Sequence, residues 1–205
     1  IWEVIRAAST KPFGYMPFYP GPGIGGHCIP LDPMYLAWKA KGYRFFSKFI
    51  ELAQGINNQM PDYVIAKTAE ILNQYAKSLK HSKVLLLGMA YKPEVDDLRE
   101  SPALQVYEMF KIRGAQVDYY DPYAHSFRNQ AGNVVKSVEY RPELFRSYDC
   151  IVLLTHHKAI NYEEIAGLGV PIFDTRNAFS EYRLPHIYRL GSPIVQIAEH
   201  LQPAY

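Results

Sequence analysis

Short apolar runs, separated by stretches of helical spacing, dominate the second half of the chain. The first, KVLLLGMA, spans Lys83 to Ala90, and the runs AQVDYY, CIVLL and VPIF follow it at intervals. Runs of this length are typical of buried strands, and their alternation with helices indicates a parallel sheet that is covered on both faces. The sequence therefore predicts that residues 81–205 form a doubly wound, Rossmann-like α/β domain.

The first 80 residues carry a helical pattern instead. IWEVIRAAS reads as the end of an amphipathic helix, so we expect the chain to begin inside a larger protein. Asp32 followed by Pro33 predicts a helix that Asp32 caps and Gly42 ends. A longer helical region follows, which Pro61 must kink or restart. Its apolar stripe comprises Phe46, Phe49, Ala53, Ile56, Met60, Val64, Ile71, Leu72, Tyr75 and Leu79. Residues 1–80 are thus predicted to form a central helical region that pairs two copies of the chain as a homodimer.

Composition narrows the classes of partner. The 205 residues have a formal net charge of +2 and no basic run, which gives no reason to expect nucleic acid or an anionic membrane. No apolar run approaches the roughly 18 residues that span a bilayer. Two cysteines, Cys28 and Cys150, do not make a disulfide framework, so we expect a cytoplasmic protein. Cys150 opens an apolar strand and is expected in the core.

The loop PGPGIGGHCIPLDP, residues 20–33, holds the other cysteine. Cys28 is either a small buried hydrophobe in a tight loop or a reactive thiol, and its neighbours alone favour neither. Glycines allow close approach of a ligand, and the N-terminus of the helix predicted from Pro33 would favour a thiolate. Asp32 suits the role of helix cap and equally that of a carboxylate that holds water or accepts a proton beside the thiol.

Two cations follow strands of the predicted sheet. Lys92 comes just after the first strand and Arg176 ends the fourth, so both should project from the carboxyl edge, where open α/β sheets bind ligands. They suit a diphosphate, although on spacing alone both are more often solvated loop charges. The turn after the first strand reads GMAYKP rather than G-x-G-x-x-G, which predicts poor binding of a dinucleotide.

Other polar residues indicate no separate site. EVDDLRESP, residues 94–102, is interpreted as a self-neutralising polar loop before a capped helix. The histidines show no metal-ligand spacing, and His156 and His157 are expected to be surface or strand-end residues. No metal site is therefore predicted.

Taken together, the glycine loop and the polar loop resemble two segments of the UDP-glucose/GDP-mannose dehydrogenase family. The family's G-G-x-C-x-x-x-D segment is matched by Gly25, Gly26, Cys28 and Asp32. Its K-P-x-x-x-D-x-R-E-S segment is matched by KPEVDDLRES, residues 92–101. The form with His27 before the cysteine is similar to the branch that acts on UDP-N-acetylhexosamines. UDP-N-acetylglucosamine is the favoured substrate, and UDP-N-acetylmannosamine and UDP-glucose are the alternatives.

This resemblance implies an NAD-dependent oxidation of a sugar C6 alcohol to a carboxylate, for polysaccharide biosynthesis. It makes Cys28 the nucleophile that holds the intermediate as a thiohemiacetal and then a thioester, and Asp32 the residue that assists the attacking water. The substrate contacts that it implies are Tyr19, Gly21, Gly25, Lys92 and Arg176. Arg99 is implied as a contact to NAD, which an N-terminal domain absent from this chain would mainly bind.

Two departures and two alternative functions stand beside these expectations. The chain alone is expected to be inactive, because the family's NAD-binding domain and some catalytic groups lie outside it. Leu31 stands where many relatives have a lysine near NAD. A non-catalytic module that binds a nucleotide sugar and dimerises is the alternative function. A cysteine hydrolase with His27 as base is less favoured, because adjacent residues rarely present both side chains to one substrate atom.

Overall fold

The computed structural model describes residues 1–194, and its second half is built on a parallel sheet. Its strands are β1 (Lys83–Leu87), β2 (Gln116–Tyr120), β3 (Ser126–Arg128), β4 (Val134–Lys136), β5 (Cys150–Leu153), β6 (Ile172–Asp174) and β7 (Ile187–Arg189). Five of them pair in parallel in the order β2-β1-β5-β6-β7, whereas β3 and β4 form an antiparallel hairpin. The predicted α/β class with a parallel sheet is confirmed; residues 195–205 of the predicted second domain lie outside the described residues.

Helices cover both faces of this sheet. The helices of the described residues are α1 (Trp2–Ala8), α2 (Cys28–Lys41), α3 (Lys48–Asn58), α4 (Met60–Gln74), α5 (Pro102–Ile112), α6 (Pro142–Phe145) and α7 (Tyr162–Ala166), and those that pack on the sheet are α4, α5, α6 and α7. Val84 and Leu86 of β1 pack in one core with α4 and α5, while Leu85 and Leu87 pack in a second core with α6 and α7. This two-sided burial explains why the strands read as apolar runs without alternation. None of the helices in residues 1–194 has both the length and the apolar content that a bilayer crossing requires.

Helix α2 begins at Cys28, five residues before the predicted start. His27 occupies the N-cap position, so the prediction that Asp32 caps this helix is wrong. Pro30 is tolerated because the N–H groups of a first turn have no partner within the helix. Pro33 lies inside the helix rather than at its first position. Gly42 follows the last residue of the helix, as predicted.

The apolar stripe predicted from Phe46 to Leu79 divides next to Pro61, because α4 starts as a separate helix at Met60. Val64 and Leu72 of α4 are fully buried in the core shared with α5, so this half of the stripe is used within the chain. Helix α3 has no buried residue, and Phe49 is 87% exposed. The prediction of a continuous self-association surface is therefore wrong for α4, and only α3 keeps its apolar face open.

Candidate active site

The glycine loop is packed against the loop that connects β1 to α5. The Gly26 N–H donates a hydrogen bond of 2.9 Å to the carbonyl of Arg99. A Cβ added at Gly25 would lie 2.6 Å from the Cβ of Tyr91 and 2.7 Å from the Glu100 carbonyl oxygen. Real side chains do not approach so closely, so glycine is required here for the loop to contact the second domain. The loop that carries Cys28 is thus held at the carboxyl edge of the sheet.

Arg176 is held beneath the same loop. Gly21 lies directly against its guanidinium, and its Nε donates a 2.7 Å hydrogen bond to the Leu154 carbonyl. Burial lowers the pKa of Arg176 to about 10, against the opposing effect of the Asp174 charge, so the side chain stays cationic at neutral pH. Arg176 is therefore a fixed, partly buried cation rather than a solvated loop charge.

Cys28 is exposed at the first residue of α2. Its thiol lies together with the His27 imidazole and the Asp32 carboxylate, and the three ligand atoms are all within 4.8 Å of one another. The His27 Nδ1 is 3.6 Å from Asp32 Oδ1. Cys28 and Asp32 share a helix face because they are four residues apart. Sulfur, imidazole and carboxylate donors could hold a metal such as Zn²⁺, a grouping that the sequence did not reveal because the helix was expected to start at Pro33.

The neighbouring polar loop carries Lys92 and Arg99. Lys92 is exposed, with its Nζ 5.4 Å from the centre of the Tyr91 ring. Arg99 donates to both carboxylate oxygens of Asp97, and these hydrogen bonds lower the pKa of Asp97. The predicted self-neutralising loop is confirmed in this pair. Arg99, expected to contact NAD, therefore has its charge balanced by a neighbour.

A buried carboxylate and imidazole behind these loops were missed by the sequence reasoning. Asp121, which follows β2, accepts hydrogen bonds from the backbone N–H groups of Met89, Ala90, Tyr123 and Ala124. His157 is fully buried with its Nε2 3.2 Å from Asp121 Oδ2, so of the two expected positions, at the surface or at a strand end, the surface position is wrong for this residue. Burial by itself would raise the pKa of Asp121, but the hydrogen bonds from His157 and the backbone lower it to about 2.

Tyr19 lies at the start of the glycine loop and is exposed. Its ring stacks on Trp2, with centres 6.3 Å apart, and the Trp2 Nε1 donates to the Leu190 carbonyl. Between the glycine loop, α3 and α5 the surface forms a cavity of about 500 Å³. None of the residues that we expect at the site lines it. The candidate site is therefore the open edge of the sheet, not this cavity.

The geometry of the site defines a class of protein. An exposed thiol at a helix N-terminus lies in a loop that is packed over a parallel sheet, and a fixed cation lies beneath that loop. Helix N-termini and sheet edges with cations suit anionic ligands, and an exposed thiol suits covalent chemistry. The fold and site are those of an α/β protein that is suited to bring a bound anion and a nucleophile together.

Comparisons with known proteins identify the family. The UDP-glucose/GDP-mannose dehydrogenase family, central domain, matches residues 1–59, and the UDP binding domain of the same family matches residues 85–181. The UDP-N-acetyl-D-mannosamine dehydrogenase of Methanocaldococcus jannaschii is 34% identical over 185 residues, which cover 86% of this chain and 39% of the relative. The UDP-N-acetyl-D-glucosamine 6-dehydrogenase of Salmonella typhi is 31% identical over 172 residues, covering 81% and 39%.

A solved structure shows the same similarity. The UDP-D-ManNAc dehydrogenase of Pyrococcus horikoshii superimposes with a TM-score of 0.78 and 30% identity, covering 95% of this chain and 44% of that one. The chain belongs to the UDP-glucose/GDP-mannose dehydrogenase family. It spans about 40% of the length of the first curated relatives that it matches.

Proposed function

We propose that this chain is the part of a UDP-N-acetylhexosamine 6-dehydrogenase that holds the nucleotide sugar and carries the nucleophile. The observation that supports this most is the packing of the Cys28 loop over the sheet edge. Gly21 lies against Arg176 and Gly25 against Tyr91, so the loop and the edge form one surface. In this proposal Lys92 and Arg176 hold the diphosphate, and Tyr19, Gly21 and Gly25 line the path of the sugar toward Cys28.

The proposed chemistry assigns the covalent step to Cys28. The Cys28 sulfur adds to the aldehyde carbon at C6 and the aldehyde oxygen takes up a proton, which gives a thiohemiacetal. Loss of a hydride from C6 of that adduct, together with the proton of its hydroxyl group, leaves a thioester. Water then breaks the carbon–sulfur bond, releasing the carboxylate and the thiol, and Asp32 orients this water or takes its proton. Two molecules of NAD, bound one after the other, would each take up one of the two hydrides that the whole oxidation releases.

We propose that the sheet domain of this chain does not itself bind the NAD pyrophosphate. A Cβ at Gly88, in the turn after β1, would lie 2.5 Å from the Thr155 carbonyl oxygen, so this turn is packed against the chain rather than open to a pyrophosphate. Asp121, at the strand end where dinucleotide-binding domains carry an acidic residue for the ribose, is buried and fully bonded to backbone N–H groups. Arg99 is the contact to NAD that this chain is proposed to supply.

The identity of the sugar is the finer part of the proposal. The motif around His27 favours UDP-N-acetylglucosamine, whereas most of the similar relatives are named UDP-N-acetyl-D-mannosamine dehydrogenases. Both are UDP-N-acetylhexosamines and differ at one stereocentre. Calorimetry with both UDP-sugars therefore compares the two substrates directly.

Calorimetry of the 205-residue chain tests the assignment of ligand to the sheet edge. We expect a UDP-N-acetylhexosamine to bind weakly, but at least about tenfold more tightly than NAD, because a charge-assisted contact contributes roughly 1.5–3 kcal/mol. Lys92→Met should weaken binding of the UDP-sugar by about tenfold or more. Lys111→Met, an exposed lysine in the last turn of α5, is the matched control and should bind like the wild type. Tighter binding of NAD than of either UDP-sugar would refute the assignment.

We also propose that α2 and α3 form the homodimer surface. More than half of each of several large apolar side chains in this region is exposed. They are Tyr35, Leu36, Trp38, Tyr43, Phe45, Phe46, Phe49, Leu52 and Ile56. An apolar surface of this extent is typical of one that another protein covers, and the proposed partner is a second copy of the chain.

Light scattering of the chain at micromolar concentration tests this surface. The wild type is expected to be a dimer, and Phe49→Glu should shift it to monomer because a charge cannot be buried in an apolar interface without a partner. Ile112→Glu is the matched control, since Ile112 is 77% exposed at the end of α5 and should leave the dimer intact. A monomeric wild type, or a dimer that Phe49→Glu leaves unchanged, would contradict the proposal.

A further inference from the structure

His157 is hydrogen-bonded at both ring nitrogens, and its ring is completely buried. The Nε2 lies 3.2 Å from Asp121 Oδ2, and the Nδ1 accepts the backbone N–H of Glu94 at 3.1 Å. A backbone N–H can only donate, so Nδ1 must carry the lone pair and the ring proton must be on Nε2, directed at Asp121. The contacts therefore specify one tautomer of a neutral imidazole.

The backbone group that His157 holds belongs to the loop of Lys92. Glu94 comes two residues after Lys92 and has a left-handed backbone, with φ +64°. Its side chain is bonded as well, because Oε2 accepts from the Tyr123 hydroxyl at 3.0 Å and Oε1 from the Lys158 N–H at 2.7 Å. An otherwise strained residue is thus fixed by groups that follow two different strands.

The other end of this loop is fixed by the same network. Asp121 accepts the N–H groups of Met89 and Ala90, and the Thr155 hydroxyl donates to the Ala90 carbonyl at 2.6 Å. On its outer side the loop presents Tyr91 to the glycine loop that carries Cys28. The titratable groups that face or adjoin His157 are Asp121, Glu94, Tyr123, Tyr162, His156 and Lys158.

We propose that His157 is a positioning residue: its Nδ1–Glu94 bond holds the Lys92 loop in the geometry that the nucleotide sugar requires, without touching the substrate. This role rests on the proposed function, in which Lys92 binds the diphosphate and Tyr91 packs against the glycine loop. The bond itself does not depend on that function. Asp121 keeps its four backbone donors when the imidazole is removed, so loss of His157 should release the Glu94 end of the loop and leave the end that follows β1 in place.

The wild-type chain tests the tautomer directly. Nitrogen NMR of the histidine side chains at neutral pH should show an unprotonated Nδ1 and a protonated Nε2 for His157. A proton on Nδ1, or on both nitrogens, would overturn the proposal, because neither form can accept the Glu94 N–H. This measurement requires no variant and stands even where a variant fails to fold.

Two variants test the positioning role. His157→Phe keeps the ring and removes both nitrogens, and His156→Phe makes the same change at the exposed neighbour. Amide hydrogen exchange at Glu94 should become at least about tenfold faster in His157→Phe, with the Tyr123 and Ala124 amides unchanged, and should not change in His156→Phe. Unchanged exchange at Glu94 would overturn the inference.

Binding separates a positioning role from a merely structural one. The affinity of His157→Phe for UDP should fall about tenfold while its melting curve stays cooperative, and His156→Phe should bind UDP like the wild type. Faster exchange at Glu94 together with wild-type affinity for UDP would contradict the positioning role. Failure of the wild type itself to bind UDP would instead contradict the proposed function. The exchange data would still test the hydrogen bond between Glu94 and His157.

Discussion

In the complete dehydrogenase that we propose, replacing Cys28 by serine is expected to reduce formation of the carboxylate by about a thousandfold or more. A serine hydroxyl is not ionised at neutral pH and cannot hold the aldehyde as a thiolate can, so the second oxidation loses its covalent intermediate. Affinity for the UDP-sugar should change little, because one exposed atom is exchanged for a smaller one. Mass spectrometry of the product and calorimetry of binding measure the two quantities separately.

The second cysteine supplies the control for this experiment. Cys150 is buried in β5, and burial raises the pKa of its thiol to about 12, so it cannot act as the nucleophile. Cys150→Ala should therefore keep full activity, with only a modest loss of stability from the vacated volume. Carboxylate production by Cys28→Ser at the wild-type rate would remove the basis for a covalent mechanism at this loop.

Asp121→Asn is expected to destabilise the chain by about 3 kcal/mol or more, measured by urea denaturation. The Oδ2 atom accepts from the Met89 and Ala90 N–H groups, and Oδ1 accepts from those of Tyr123 and Ala124. An amide offers one accepting oxygen instead of two, so at least two buried donors lose their partner, and each costs about 1–3 kcal/mol. Asp118→Asn is the matched control on β2, because its exposed carboxylate accepts from the Tyr148 hydroxyl alone among the described residues.

The same carboxylate predicts a pH dependence. The pKa of Asp121 is lowered from 3.8 to about 2 in the folded chain, so the ionised group stabilises the fold above pH 4. That contribution, about 2 kcal/mol, should disappear as the pH falls from 4 toward 2. The stability difference between wild type and Asp121→Asn should shrink over the same range. A difference that stays constant from pH 5 to pH 2 would show that the charge of Asp121 contributes nothing.

Much of the sheet could be predicted from the sequence because its strands are buried on both faces. An apolar run such as residues 84–87 has one stable environment, and Ser101 with Pro102 marks the start of α5 unambiguously. The hairpin of β3 and β4, the short helix α7 and the edge strand β7 were not predicted. Each has only three to five residues, and its local pattern is too short to distinguish it from a loop.

The start of α2 and the partner of α4 depend on packing that local sequence does not express. The helix start at Cys28 could not be predicted because Pro30 and Pro33 follow it. Proline is typical of a first helical residue, so the start was expected at Pro33, which instead lies inside the helix. The apolar stripe continued past Pro61 with an unbroken period, yet α4 turns its part of the stripe onto α5. The sequence pattern identified the apolar residues of the stripe. Only the folded structure shows that the α4 part packs on α5 and that the α3 part is exposed.

The candidate site was predictable in part, through two segments that resemble a known family. Composition alone could not distinguish a reactive Cys28 from a buried one, and the structure leaves it exposed. The network of Asp121 and His157 was missed because its members come from three strand ends that are distant in sequence. An aspartate directly after one strand and a histidine four residues after another were the available signals, and only the parallel order β2-β1-β5 brings them together.

Protection of Cys28 from alkylation tests the central claim most directly, because it asks whether the sheet edge and the thiol serve one ligand. In the 205-residue chain Cys28 is exposed and Cys150 buried, so a thiol reagent reports on Cys28. A UDP-N-acetylhexosamine at ten times its calorimetric dissociation constant should slow alkylation at least about fivefold, because its sugar would cover the thiol. UDP alone at the same saturation, and NAD, should slow it much less. An unchanged rate with either saturating UDP-N-acetylhexosamine would contradict the account, because the ligand at the sheet edge would not reach Cys28.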